Sequence, residues 1–181
     1  MVPELESERL LLKRLSMTHC TEEYVAWLNN PQVYQFLETG GNYTLADLRN
    51  YLASVEARPD MLFWAIHIKS NNVHIGNVKI DPINKKHGLG EYGILMGNPE
   101  EWGKGYAKEA SLSIINYCFK IVNLRKITLG VVEKNVAAIK LYESLGFEVE
   151  GVYKKHGLYN NEYLDTVRMA LFNTKYRDAN R

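Results

Sequence analysis

Hydrophobic and polar positions along this 181-residue chain switch repeatedly between a period of two and a period near 3.6. Residues 9–15 (RLLLKRL) read as a first strand, and 21–30 and 44–57 as helices. The second helix opens at Thr44 with Asp47 three residues on, the spacing of a capping box. Leu45, Leu48, Tyr51, Leu52 and Val55 then follow at helical spacing until Arg58-Pro59 ends the run. Period two returns at 62–69, where Leu62, Trp64, Ile66 and Ile68 alternate with Phe63, Ala65 and His67. Asn71-Asn72 predicts a hairpin turn. The next strand carries Val73 and Ile75 on one phase and Val78 and Ile80 on the other, which places a bulge at Gly76-Asn77. A third strand covers 89–96 with Gly93 inside it, the mark of a bulge or of close approach by a ligand.

After a loop at 97–104, a long helix is expected to bury Ala107, Ala110, Ile114, Tyr117, Cys118 and Ile121. Residues 126–132 read as a strand, and 136–145 as a helix with Asn135 as N-cap and Gly146 just past its end. Strands over 147–155 and 162–171, joined through Asn160-Asn161, finish the pattern. There is no repeat or low-complexity linker, so the length fits one domain over 1–181. Hairpins mixed with βαβ crossovers predict an α/β fold with a mixed sheet.

Composition narrows the partners. A net charge of +1 gives no global attraction to nucleic acid or anionic membrane, and no basic run is interleaved with aromatics. No apolar run approaches the ~20 residues of a membrane span. Met1 to Glu6 lacks the basic-then-apolar pattern of a signal peptide, and Cys20 and Cys118 stand alone. The expectation is a cytoplasmic protein with reduced thiols and no nucleic-acid or membrane partner. His19, His67, His74, His87 and His156 have no metal-ligand spacing, so no metal is expected. An anionic ligand must be held by a local set of donors.

One turn offers such a set. Trp102-Gly103-Lys104-Gly105-Tyr106-Ala107 lies between a strand and a helix. Glycines there let the backbone bend sharply, and the first N–H groups of the helix lack intrahelical partners. Together they favour a phosphate. A P-loop would need glycine at Asn98 and Ser or Thr at Gly105, and a dinucleotide fingerprint would need glycine at Lys108. Both templates fail.

The turn resembles the coenzyme A pyrophosphate loop of the GNAT N-acetyltransferases, with Trp102 where the family pattern has Gln or Arg. The run Asn135…Ala138…Leu141-Tyr142…Gly146-Phe147 resembles that family's later helix. The strings Glu8-Arg9-Leu10, Trp102 to Ala110 and Glu150-Gly151…Asp165 are similar to the RimJ/RimL-like branch.

The resemblance implies a GNAT fold: a twisted, mostly antiparallel sheet with a splayed parallel strand pair, flanked by helices. It implies acetyl-CoA as co-substrate, bound by Trp102, Gly103, Lys104, Gly105, Tyr106 and Ala107. Backbone groups of Ile94, Leu95 and Met96 are expected to meet the pantetheine arm, with a bulge N–H polarising the thioester carbonyl. Asn135 is expected to contact the cofactor, to cap its helix, or both. Tyr142 is implied as the acid for the departing thiolate, against the plain reading of a core tyrosine at helical spacing. Glu91 is the leading candidate base, against a solvated or lysine-paired carboxylate, with Asp81 and His87 behind it. Lys104, Lys108 and Lys140 are candidates for the phosphates.

The acceptor is a small-molecule or peptide amine. The strings 76–84 and 29–31 resemble members acting on nucleotide-linked amino sugars. A protein N-terminus or a polyamine is the alternative, and a non-catalytic acyl-CoA-binding module is a further one. The family also allows a homodimer.

Overall fold

The period-two segments pair into one eight-stranded sheet in the order β1-β2-β3-β4-β5-β6-β8-β7. In this computed structural model, residues 2–38, 41–58 and 60–176 are described. The strands are β1 (Leu5–Glu6), β2 (Leu10–Arg14), β3 (Leu62–Ile68), β4 (His74–Asn84), β5 (Leu89–Met96), β6 (Lys126–Val132), β7 (Glu148–Tyr159) and β8 (Glu162–Phe172). Every neighbouring pair is antiparallel except β5 and β6. That parallel pair is reached through the long helix α4 (Tyr106–Lys120), because parallel strands need a crossover. The mixed GNAT sheet expected from the motifs is therefore the sheet observed.

Local chemistry sets the elements. The Thr44–Asp47 capping box forms at the start of α3 (Leu45–Glu56). The Thr21 side chain caps α1 (Glu22–Asn29). Asn30 then ends α1 and caps a short α2 (Pro31–Tyr34), which the sequence pattern did not reveal. Asn160 and Asn161 both take positive φ, the backbone a two-residue hairpin demands, so β7 runs on to Tyr159 rather than stopping at 155. Pro59, expected to end α3, lies outside the described residues.

Three expectations need correction. The β4 bulge falls at Ile75, one residue before the predicted pair, since Ile66 faces Gly76 while His67 faces His74. Gly93 sits in regular register opposite Lys79, whose aliphatic chain covers it; the extra residue lies on the partner strand, between Ile80 and Ile83. Ile121 is 69% exposed, because α4 ends at Lys120 and the chain turns through Asn123. Leu124 is buried just beyond that turn.

The two faces of the sheet have separate cores. Trp64, Ile66, Ile80, Tyr92, Ile114, Ile127 and Leu129 pack beneath α4 and α5 (Val136–Ser144). Leu15, Trp27, Leu48, Leu52, Phe63 and Ala65 pack beneath α1 and α3. Each fully buried Leu or Ile contributes roughly 2 kcal/mol. No helix among the described residues is long and apolar enough to cross a membrane.

Candidate active site

The parallel pair is short. Leu89, Gly90 and Glu91 face Lys126, Ile127 and Thr128, and there the pairing ends. Beyond it β5 pairs only with β4, and β6 only with β8, so the two strands part over 92–96 and 129–132. Along a strand the peptide groups alternate in direction. The Leu95 carbonyl packs against Gly76 of β4, and the Gly97 amide donates to the Ile75 carbonyl. Leu95 therefore does not face the opening, contrary to expectation, and the backbone groups of Ile94 and Met96 do. The Met96 carbonyl already accepts the Trp102 indole N–H at 2.9 Å.

That bond ties the glycine turn to the end of β5. Gly103 and Gly105 have φ of 74° and 83°, left-handed values that cost an L-residue roughly 1–2 kcal/mol. No side chain caps α4 at Gly105. Among the described residues, the amides of Gly103, Lys104 and Gly105 donate to no protein group. A Cβ at Gly103 would meet nothing within 4 Å, so the turn is open on that side. Unpaired amides, an open approach and the positive end of a 15-residue helix fit a pyrophosphate. Lys104 is ion-paired with Glu101 at 2.8 Å, while Lys108 and Lys140 are exposed.

On the α4–α5 face, Tyr142 is 7% exposed and packs edge-on to Tyr92, with ring centroids 5.9 Å apart. The Tyr92 hydroxyl is bonded to Ser111 at 2.6 Å. The Tyr142 hydroxyl has no hydrogen-bond partner among the described residues. Burial pushes its pKa up to about 12. Asn135 caps α5 by accepting the Ala138 amide at 3.2 Å.

On the opposite face, Glu91 accepts two N–H groups of Arg168, at 2.6 and 2.8 Å, and the Thr128 hydroxyl at 2.5 Å. This two-pronged bond raises the Arg168 pKa further above its usual value. Arg168 faces Gly130 across the β6–β8 ladder and must cross β6 to reach β5. A Cβ at Gly130 would stand 2.8 Å from its guanidinium, so a larger residue there would push the Arg168 side chain aside. Asp81 is held by Arg58 and Lys79, and His87 lies in the turn between β4 and β5.

The sequence reading missed Arg168, because no local spacing links β8 to β5. It also missed a histidine cluster at the base of α1. The Ser16 amide donates to His19 Nδ1, so the His19 Nε2–H donates to His67 Nε2 at 3.2 Å. The His67 Nδ1–H then donates to the Asn72 carbonyl. His74 stacks on His67 with centroids 5.0 Å apart, and its Nε2–H serves Gly76 O and Asn77 Oδ1. Burial lowers all three pKa values, that of His74 to about 3. Among the described residues, no group of His, Cys, Asp or Glu is arranged to hold a metal ion.

Residues 9–148 match the family described as acetyltransferase (GNAT) domain. An uncharacterized N-acetyltransferase p20 of Bacillus licheniformis is 26% identical over 177 residues, 95% of this chain and 97% of that one. A spermidine N(1)-acetyltransferase of Vibrio cholerae is 38% identical over 102 residues, 56% of this chain and 58% of that relative. The match thus spans little more than half of the spermidine enzyme. Over the whole fold, the structure of spermidine N-acetyltransferase from Vibrio cholerae with CoA and spermine superposes with a TM-score of 0.85 at 26% identity, covering 94% of this chain and 99% of the other. The chain belongs to the GNAT acetyltransferase family, whose members use acetyl-CoA, and is an enzyme of the N-acetyltransferase class.

Proposed function

We propose that the protein transfers acetyl from acetyl-CoA directly to a primary amine and belongs to the RimJ/RimL-like branch of its family. The observation that carries this reading is the open glycine turn, with unpaired amides, set beside the parted ends of β5 and β6. Amides of Gly103, Lys104 and Gly105 and of the first turn of α4 (Tyr106, Ala107) bind the pyrophosphate. Trp102 fixes the turn through Met96. The peptide groups of Ile94 and the amide of Met96 pair with the pantetheine arm. Asn135 keeps its capping role. Acetyl-CoA supplies the thioester carbonyl on which the amine attacks.

Tyr142 and Glu91 approach the opening from opposite faces of the sheet, so one serves the leaving sulfur and the other the amine. At pH 7, freeing the lone pair of an amine of pKa ~10 costs roughly 4 kcal/mol. Glu91 or a water held by it accepts that proton, although Arg168 and Thr128 already engage both carboxylate oxygens. Tyr142 stays protonated and donates to the sulfur as the C–S bond breaks. With a tyrosine at about 12 and a thiol near ~8.5, complete proton transfer is uphill by roughly 5 kcal/mol. The hydroxyl therefore acts mainly as a hydrogen-bond donor.

For the acceptor, the spermidine acetyltransferases among the relatives favour a polyamine over the nucleotide-linked amino sugar suggested by 76–84 and 29–31. Val149, Val152 and Leu158 are exposed along the edge strand β7, which suits self-association. A spermidine N-acetyltransferase of Vibrio cholerae is described as dodecameric.

The test is release of CoA from acetyl-CoA with spermidine, a UDP-linked amino sugar and an N-terminal peptide. Turnover with spermidine alone is the expected result. Acetyl-CoA binding without turnover on any amine would make the protein an acyl-CoA-binding module instead.

A further inference from the structure

The side chain of Arg9 lies 95 residues from Lys104 in sequence yet touches the glycine turn at several points. Its Nη1 donates to the Lys104 carbonyl at 3.0 Å, and its Nε donates to Glu109 at 2.7 Å. The guanidinium carbon stands 4.5 Å from the centre of the Tyr106 ring. A Cβ at Gly105 would come within 3.4 Å of its Nη2. Glu109 is itself fixed from the turn between β1 and β2, accepting the Arg9 amide at 2.7 Å and the Ser7 hydroxyl at 2.6 Å. These bonds hold the Glu109 carboxyl below its usual pKa despite an opposing effect of burial, which is the largest single influence.

We propose that Arg9 is a positioning residue for coenzyme A: it braces the left-handed turn at 103–105 and the first turn of α4 against β2. This rests on the coenzyme A reading of that turn. The physical need is specific. Two left-handed glycines flanking Lys104 leave the backbone free to leave this conformation, and an uncapped helix start does nothing to hold it. Turning the Lys104 carbonyl toward Arg9 leaves the neighbouring amides directed away from it. The planar fork of the guanidinium reaches a carbonyl and a carboxylate together, which a lysine ammonium on a flexible stem does not reproduce. Arg9 thus acts through the turn, with charge toward the phosphates secondary to geometry.

The experiment is calorimetric titration of wild type, Arg9→Gln, Arg9→Lys and Glu109→Gln with CoA, beside thermal melts of each. Arg9→Gln and Arg9→Lys are both expected to weaken CoA binding about 10-fold while keeping a cooperative melt. Glu109→Gln is expected to weaken it about 3- to 10-fold. In turnover, the loss should fall on KM for acetyl-CoA and leave kcat at saturation within about 2-fold. If Arg9→Gln fails to melt cooperatively, Glu109→Gln decides by the same criterion. Unchanged affinity in the folded variants, or full recovery of affinity in Arg9→Lys, would overturn the brace. Failure of the wild type to bind CoA would instead remove the coenzyme A reading itself, so the two failures are distinct.

Discussion

The proposed donor side of the opening and the proposed acceptor side are built on different principles. On the donor side, binding groups are backbone amides, left unpaired by glycine φ values and by a helix start. On the acceptor side, the polar groups are side chains already engaged: Glu91 with Arg168 and Thr128, Asp81 with Arg58 and Lys79, and His19 with His67, on which His74 stacks. An amide that donates to nothing in the protein is available to any molecule with the right phosphate spacing. A bonded carboxylate is available only to a ligand that displaces or extends its network. Acetyl-CoA is accordingly the donor shared across the family, while on the proposed reading the acceptor must fit these side-chain pairings.

The largest expected effect tests how tightly the acceptor side is bonded. His74 has its pKa lowered to about 3, so the unfolded chain takes up a proton there first. Its contribution is present above ~6.5 and is lost as pH falls toward 3, about 5 kcal/mol at most. Urea midpoints should drop through that window, and His74→Gln should flatten the slope; an unchanged slope would remove His74 as its source. Next, Gly105→Val should weaken CoA binding more than 100-fold, because φ of 83° suits no β-branched residue. Equal affinity in a titration would detach the turn from the cofactor.

Tyr142→Phe comes third, with kcat expected to fall about 10- to 100-fold and CoA affinity to hold within 2-fold. Because the phenol titrates at about 12, the wild-type kcat should show no falling limb from this group below pH 10. Unchanged kcat would return Tyr142 to the core. The smallest effect is Glu91→Gln, with kcat/KM for the amine lowered about 5-fold and KM for acetyl-CoA unmoved. Gly130→Ala should act in the same direction by displacing Arg168. A shift in acetyl-CoA KM in either variant would erase the division between the two sides.

Much of the donor side was legible in the letters. Glycine spacing, the Asn135 cap and the Leu-Tyr pair are local, and local geometry follows from residue type within a few positions. The acceptor side was not. Arg168 reaches Glu91 only because β8 lies beside β6 and Gly130 leaves a path across it, and neither fact has a sequence period. The bulge position shows the same limit: the phase change fixed it to within a residue, and the pairing partner chose Ile75.

By itself, then, the sequence determined most of the elements, the Thr44 and Asn135 caps and the hairpin asparagines, because each depends on hydrogen bonds within a turn or two of chain. It also led to the expectation of a phosphate-bearing ligand at the start of α4, which the proposed function keeps. Tertiary structure alone decided that β5 and β6 part after Glu91, that Leu95 turns its backbone away from the gap, that Arg9 reaches the glycine turn and that Arg168 reaches across β6. Those outcomes depend on which strands are neighbours, and adjacency across 77 or 95 residues of chain is set by the packing of two cores rather than by any local pattern.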